Sequence, residues 1–203
     1  MKHPILNIST IFLAIIALSA FIFSVVEVAI LKRNPPLSLE ENGILEFSQV
    51  IVLVGVSIMY LVATFKNNNN ERWISMCFFA IFYIFILREL GVKHMDVPDY
   101  VKYIFSGTGR TITAIILIAI SLIGALKNYK HYIIKTIELL FSKRGILLWL
   151  SFVFLQLGQW LEKGNTNFYI LCEENLELIG YCLILFCAYK TLKLPPLKRS
   201  INF

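Results

Sequence analysis

Charge is scarce in this chain of 203 residues: Asp, Glu, Lys and Arg together make up 16%, against 58% apolar residues and a mean hydropathy of +0.72. A soluble domain of this length could not bury so much apolar surface, which excludes a water-soluble enzyme or binding module and leaves a polytopic membrane protein. Histidine is scarcer still, with three residues and no H-E-x-x-H. Without histidines paired inside an apolar run, the chain cannot offer the usual ligand set of a b-type haem or a zinc hydrolase. The four cysteines, Cys77, Cys172, Cys182 and Cys187, all fall within apolar runs and form no CxxC, so they read as free thiols in apolar packing and not as a disulfide framework. A basic patch interleaved with aromatics is missing too, so the formal net charge of +6 does not imply a nucleic-acid partner.

What is present is a series of six apolar runs, at about 5–30, 43–65, 73–90, 111–126, 146–161 and 171–189. They predict an all-α fold, a single six-transmembrane-helix bundle over 1–203 with the lipid bilayer as its first partner. The first run is too long for the apolar core of a signal peptide and reads as an uncleaved span. Ser38 and Glu41 form a capping box that would start the second helix. With both termini on one side, that side holds twelve basic residues (Lys2, Lys66, Arg72, Lys127, Lys130, Lys135, Lys143, Arg144, Lys190, Lys193, Lys198 and Arg199) and two acids, Glu71 and Glu138. The opposite side has seven basic and eleven acidic residues. The positive-inside rule then puts both termini in the cytoplasm, and a bacterial plasma membrane is the commonest home for such a bundle. Between the fourth and fifth spans, Ile133, Ile134, Ile137, Leu140 and Phe141 share one helical face, with Lys130, His131, Lys135, Glu138 and Ser142 on the other. That pattern predicts an interfacial amphipathic helix over 130–142 whose lysines favour anionic lipid on the cytoplasmic face.

The last apolar run carries Glu173, Glu174 and Glu177. Counted from the basic cluster after it, Glu177 lies ~20 Å into a hydrocarbon layer ~30 Å thick. An unpaired carboxylate at that depth costs at least ~2.5 kcal/mol, so it is expected to face other helices and find a partner, a proton or a ligand. Glu173, Glu177, Gly180, Tyr181, Ile184 and Ala188 share a broad face, where small residues would admit a neighbour. Other spans send polar groups to the same level. The second carries a stripe of Asn42, Glu46, Gln49, Ser57, Tyr60 and Thr64. The third ends in Arg88 and Glu89, which as adjacent residues diverge by ~100° and are each expected to meet a partner on another helix. In the fourth, Arg110 shares a face with Ala114, Leu117, Ser121 and Gly124, which makes it the expected counter-ion for the acids of the sixth. In the fifth, Gln156 and Gln159 lie ~17 to 21 Å up, level with Glu177.

Together, Glu46, Gln49, Arg88, Glu89, Arg110, Gln156, Gln159, Glu173, Glu174 and Glu177 are expected to line a polar cavity in the outer half of the bundle. The acids outnumber the bases, which calls for a cation, bound protons or water. Three functional classes follow. The first binds a cation, proton or cationic ligand for transport or sensing. The second is an intramembrane enzyme acting on a lipid or lipid-linked substrate, with Glu177 or Glu89 as base and His94 and Asp96, two residues apart, as acid or as ligands of a divalent cation. The paired intramembrane histidines of the alkaline ceramidase-like hydrolases are missing. The third is a non-catalytic partner or protective protein that uses its acidic face.

Overall fold

The computed structural model describes residues 44–66, 71–92, 96–163 and 167–193. The first predicted span, the capping box at Ser38 and Glu41, His94 and the last ten residues lie outside these. Among the described residues the chain is all helical, with seven helices and no strand. In chain order these are α1 (Ile44–Lys66), α2 (Arg72–Glu89), α3 (Asp99–Phe105), α4 (Gly107–Leu126), α5 (Tyr129–Leu140), α6 (Lys143–Leu161) and α7 (Asn167–Lys193). α1, α4 and α6 are long and apolar enough to cross a membrane. α2 and α7, at 18 and 27 residues, match a span in length but carry the charged groups described below.

The long helices alternate in direction. Lys66 at the end of α1 donates to the Leu192 carbonyl at the end of α7, while Gln49 and Glu174 meet near the opposite ends, so α1 and α7 run parallel. Arg144 at the start of α6 reaches Glu71 before α2, which brings the starts of α2 and α6 to one end, so both run antiparallel to the first pair. One end of the bundle therefore gathers Lys66, Arg72, Arg144, Lys190 and Lys193, and the other gathers Glu46, Glu89, Glu173 and Glu174. We call these the basic and acidic ends.

Between the two ends lies an apolar core. Leu53, Val56, Tyr60, Phe82, Leu178 and Tyr181 are buried at its centre, with the Tyr60 ring stacked on Phe78 and Phe82 at centroid distances of 5.0 and 5.5 Å. The polar stripe read in the second span faces this core: Gln49, Ser57, Tyr60 and Thr64 are all buried. On α4 and α6 the usual pattern is inverted. α4 buries Gly109, Ala114 and Ser121 and leaves Ile115, Ile116, Ile120 and Ile123 exposed; α6 buries Gly145, Ser151 and Gly158 and exposes Trp149, Phe152, Val153 and Trp160. Small residues inside with bulky apolar ones outside suit a lipid solvent and not water. Close approach is the reason for the small residues. A side-chain carbon added at Gly124 would lie 2.3 Å from the Trp73 ring, and one at Gly158 would lie 3.2 Å from Cγ of Glu177.

α5 also departs from the simple amphipathic picture. Ile133, Ile134, Ile137 and Phe141 are exposed, as on the apolar face of an interfacial helix, but Lys135 does not reach solvent. It is buried and pairs with Glu138 at 2.6 Å, because the protein side of this helix is formed by Tyr132, Lys135 and Leu139.

Candidate functional site

At the acidic end, side chains from α1, α2 and α7 meet. Arg88 sits near the C-terminal end of α2 and bridges two carboxylates, with Nε 2.9 Å from Oε1 of Glu89 and Nη2 2.9 Å from Oε1 of Glu177. The same oxygen of Glu89 accepts a hydrogen bond from the Tyr181 hydroxyl at 2.8 Å. One turn along α7 from Glu177, and facing α1, Glu174 receives the Gln49 amide, which donates 2.7 Å to its carboxylate and 3.0 Å to its backbone carbonyl. Two acceptors on one side fix which way that amide points. Gln49 is fully buried, and its Oε1 has no partner among the described residues. An acceptor left this way in a buried position calls for a donor, since an unmade hydrogen bond there costs ~1–3 kcal/mol.

Local sequence accounts for this convergence. Glu173, Glu177 and Tyr181 recur at four-residue steps and so share a face of α7, and Gly158 and Gly180 let α6 close against that helix. Glu173 is partly buried and lies within electrostatic reach of Glu177, Arg88, Glu89 and Glu162. Glu46 and Glu89 stand in the same relation to Glu174. The Glu89 and Glu177 side chains are 8% and 6% exposed and that of Arg88 is 44% exposed, so the guanidinium forms the open edge of the cluster.

Several predicted members fall elsewhere. Arg88, not Arg110, is the counter-ion of Glu177, and Arg110 makes no ion pair among the described residues. Its small-residue face does turn inward, with Ala114 and Ser121 buried, but α4 packs chiefly on α2 and α3. Arg88 and Glu89 pair with each other despite being adjacent, because the long guanidinium arm folds back while its other nitrogen reaches α7. Gln156 and Gln159 are exposed on the outer surface of α6, whose inner face belongs to Ser151 and Gly158. Asp96 is exposed. No group of three or more His, Cys, Asp or Glu among the described residues is placed to hold a metal ion. Two apolar cavities of about 760 and 280 Å³ lie among α2, α4 and α5 and between α2 and α6, and neither is lined by a member of the cluster.

A second polar assembly lies at the basic end, and the sequence reading did not anticipate it. Both terminal nitrogens of Arg144 reach the Glu71 carboxylate, at 3.3 and 3.4 Å, with the two side chains 5% and 7% exposed. The Arg144 carbonyl accepts from the Cys187 thiol, which in turn accepts from the Tyr60 hydroxyl, each at 3.6 Å. The signal was present in the charge segregation, since Glu71 is one of only two acids among twelve basic residues on that side. No family model, curated protein or solved structure matches the chain.

Proposed function

We propose that the protein is a six-span membrane protein that binds a cation, in the form of a proton, a monovalent ion or a cationic ligand, at its acidic end. Both termini lie in the cytoplasm of a bacterial plasma membrane, so that the acidic end faces outward. The observation that carries this reading is an imbalance among the described residues: Glu89 and Glu177 share the Arg88 guanidinium, while Glu173 and Glu174 add two further carboxylates within electrostatic reach of both. Carboxylates in a partly dry site repel one another unless positive charge joins them. The unpartnered Gln49 Oε1 offers such a guest a neutral acceptor beside Glu174. An ammonium group or a hydrated monovalent ion fits this donor set better than a divalent metal, which would want a more complete oxygen shell. The lipid-directed enzyme reading takes Glu177 or Glu89 as base with His94 and Asp96 as acid or metal ligands; Asp96 is exposed in the connection before α3, and His94 lies outside the described residues.

The test compares Glu177→Gln with Glu177→Ala in detergent, following thermal unfolding as sodium, potassium or tetramethylammonium is added. A guest at 100 times its Kd stabilises by ~2.7 kcal/mol. We expect saturable stabilisation of the native chain by one of these ions, lost in Glu177→Gln while folding is retained. If Glu177→Gln responds like the native chain and only Glu177→Ala or Arg88→Ala unfolds the protein, the cluster is a structural ion pair and the reading fails.

A further inference from the structure

The larger apolar cavity, about 760 Å³, is a groove under α5 lined by Trp73, Phe78 and Ile81 of α2, Ser121 and Leu126 of α4, and Tyr132 of α5, among others. That volume falls within the range of small-molecule sites, ~300–1,000 Å³. From Trp73 to Ile81 the groove follows α2 for ~12 Å toward the middle of the bundle. Its lining is almost wholly apolar, and Ser121, which could have made it polar, spends its hydroxyl on the Leu117 carbonyl. The mouth has a different character. Trp73, Tyr129 and Tyr132 surround it, residue types that favour the membrane–water interface. Arg72 immediately precedes Trp73, with its guanidinium over that ring at 5.1 Å and its Nε buried with no partner among the described residues. Lys127 and Lys130 each follow a residue that lines the groove, are exposed, and make no ion pair among the described residues. The nearby acids are already engaged, Glu71 by Arg144 and Glu138 by Lys135.

An apolar slot ~12 Å deep under a rim of cations and aromatics has the chemistry of one kind of guest. We propose that this groove holds an acyl chain of an anionic phospholipid, with Arg72, Lys127 and Lys130 receiving its headgroup. Of the two lysines that the helical pattern offers to lipid, Lys130 is kept and Lys135 takes no part, because Glu138 holds it inside. This inference rests on the membrane reading of the basic end and is independent of the cation site at the other end.

The experiment uses the full chain carrying Trp149→Phe and Trp160→Phe, which leaves Trp73 as its one tryptophan. It is reconstituted into phosphatidylcholine nanodiscs containing a small fraction of phosphatidylglycerol or phosphatidylcholine with brominated chains, which quench tryptophan on contact. Brominated phosphatidylglycerol should quench Trp73 at about a tenfold lower mole fraction than brominated phosphatidylcholine. Lys127→Gln with Lys130→Gln, both on the surface, should remove that preference while leaving helicity and quenching by phosphatidylcholine unchanged. Equal quenching by the two lipids, or a preference that survives the double replacement, would overturn the proposal. So would quenching by neither, which would mean that residues 5–30 or a second copy of the chain cover the groove; none of these outcomes touches the acidic-end reading.

Discussion

α2 carries an Arg–Glu contact at each of its ends, ~26 Å apart along the helix, and the two are built differently. At the basic end one arginine meets one glutamate, both are buried, and the charges cancel. At the acidic end one arginine, with its side chain 44% exposed, meets two glutamates while others crowd in. A closed, balanced pair has nothing left to bind. An open cluster with surplus negative charge and an unpartnered acceptor does. The same residue types therefore serve cohesion at one end and, on our reading, ligand capture at the other, with stoichiometry and exposure setting the difference.

The contrast can be broken or sharpened by substitution. The largest effect is expected at the basic end: Arg144→Ala strands the buried Glu71 and should cost ~3–5 kcal/mol in reversible unfolding in detergent, whereas Arg144→Met with Glu71→Leu should restore most of that loss. Were the single change to cost under ~1 kcal/mol, the pair would not be the closed structural contact described here. Next comes Arg88→Gln, which leaves Glu177 without its cation and should destabilise by ~2.5 kcal/mol in the same assay. Glu177→Gln relieves part of the surplus charge and should cost less than ~1 kcal/mol, an asymmetry that the balanced pair should not show. Gly158→Val would press on Glu177 from α6 and should cost ~1–3 kcal/mol while weakening cation-dependent stabilisation. Smallest of all, Gln156→Leu and Gln159→Leu should stay within ~0.5 kcal/mol of the native chain, since both side chains face outward.

How far the sequence could be read follows from the physics of each signal. Height along the helices was legible, because the helical rise converts residue number into distance, and Gln49 meets Glu174 while Arg88 joins Glu89 to Glu177. The inner face of α1 was legible for a related reason: a polar stripe in an apolar helix has one direction that avoids lipid. Partner choice was not, because it depends on which helices are neighbours. The small-residue face of its helix favoured Arg110 as the partner of Glu177, yet α4 packs chiefly on α2 and α3, and Arg88 is the arginine that reaches α7. The glutamines of α6 misled because hydrogen-bonding capacity competes there with close packing, and Gly158 and Ser151 win the interface. The Arg144–Glu71 pair was hidden by the positive-inside rule, which assigns charges to a side of the membrane without saying whether they are buried.

The most direct test of the central claim counts positive charge. Purified protein in detergent at pH 7 would be compared with the Glu174→Gln, Glu177→Gln double variant by difference potentiometric titration, together with equilibrium dialysis against sodium, potassium and tetramethylammonium. The account predicts that the native chain holds at least one proton or cation more than the variant, with both folded. Equal counts would mean that these carboxylates stand ionised and hydrated without a guest, and would contradict it.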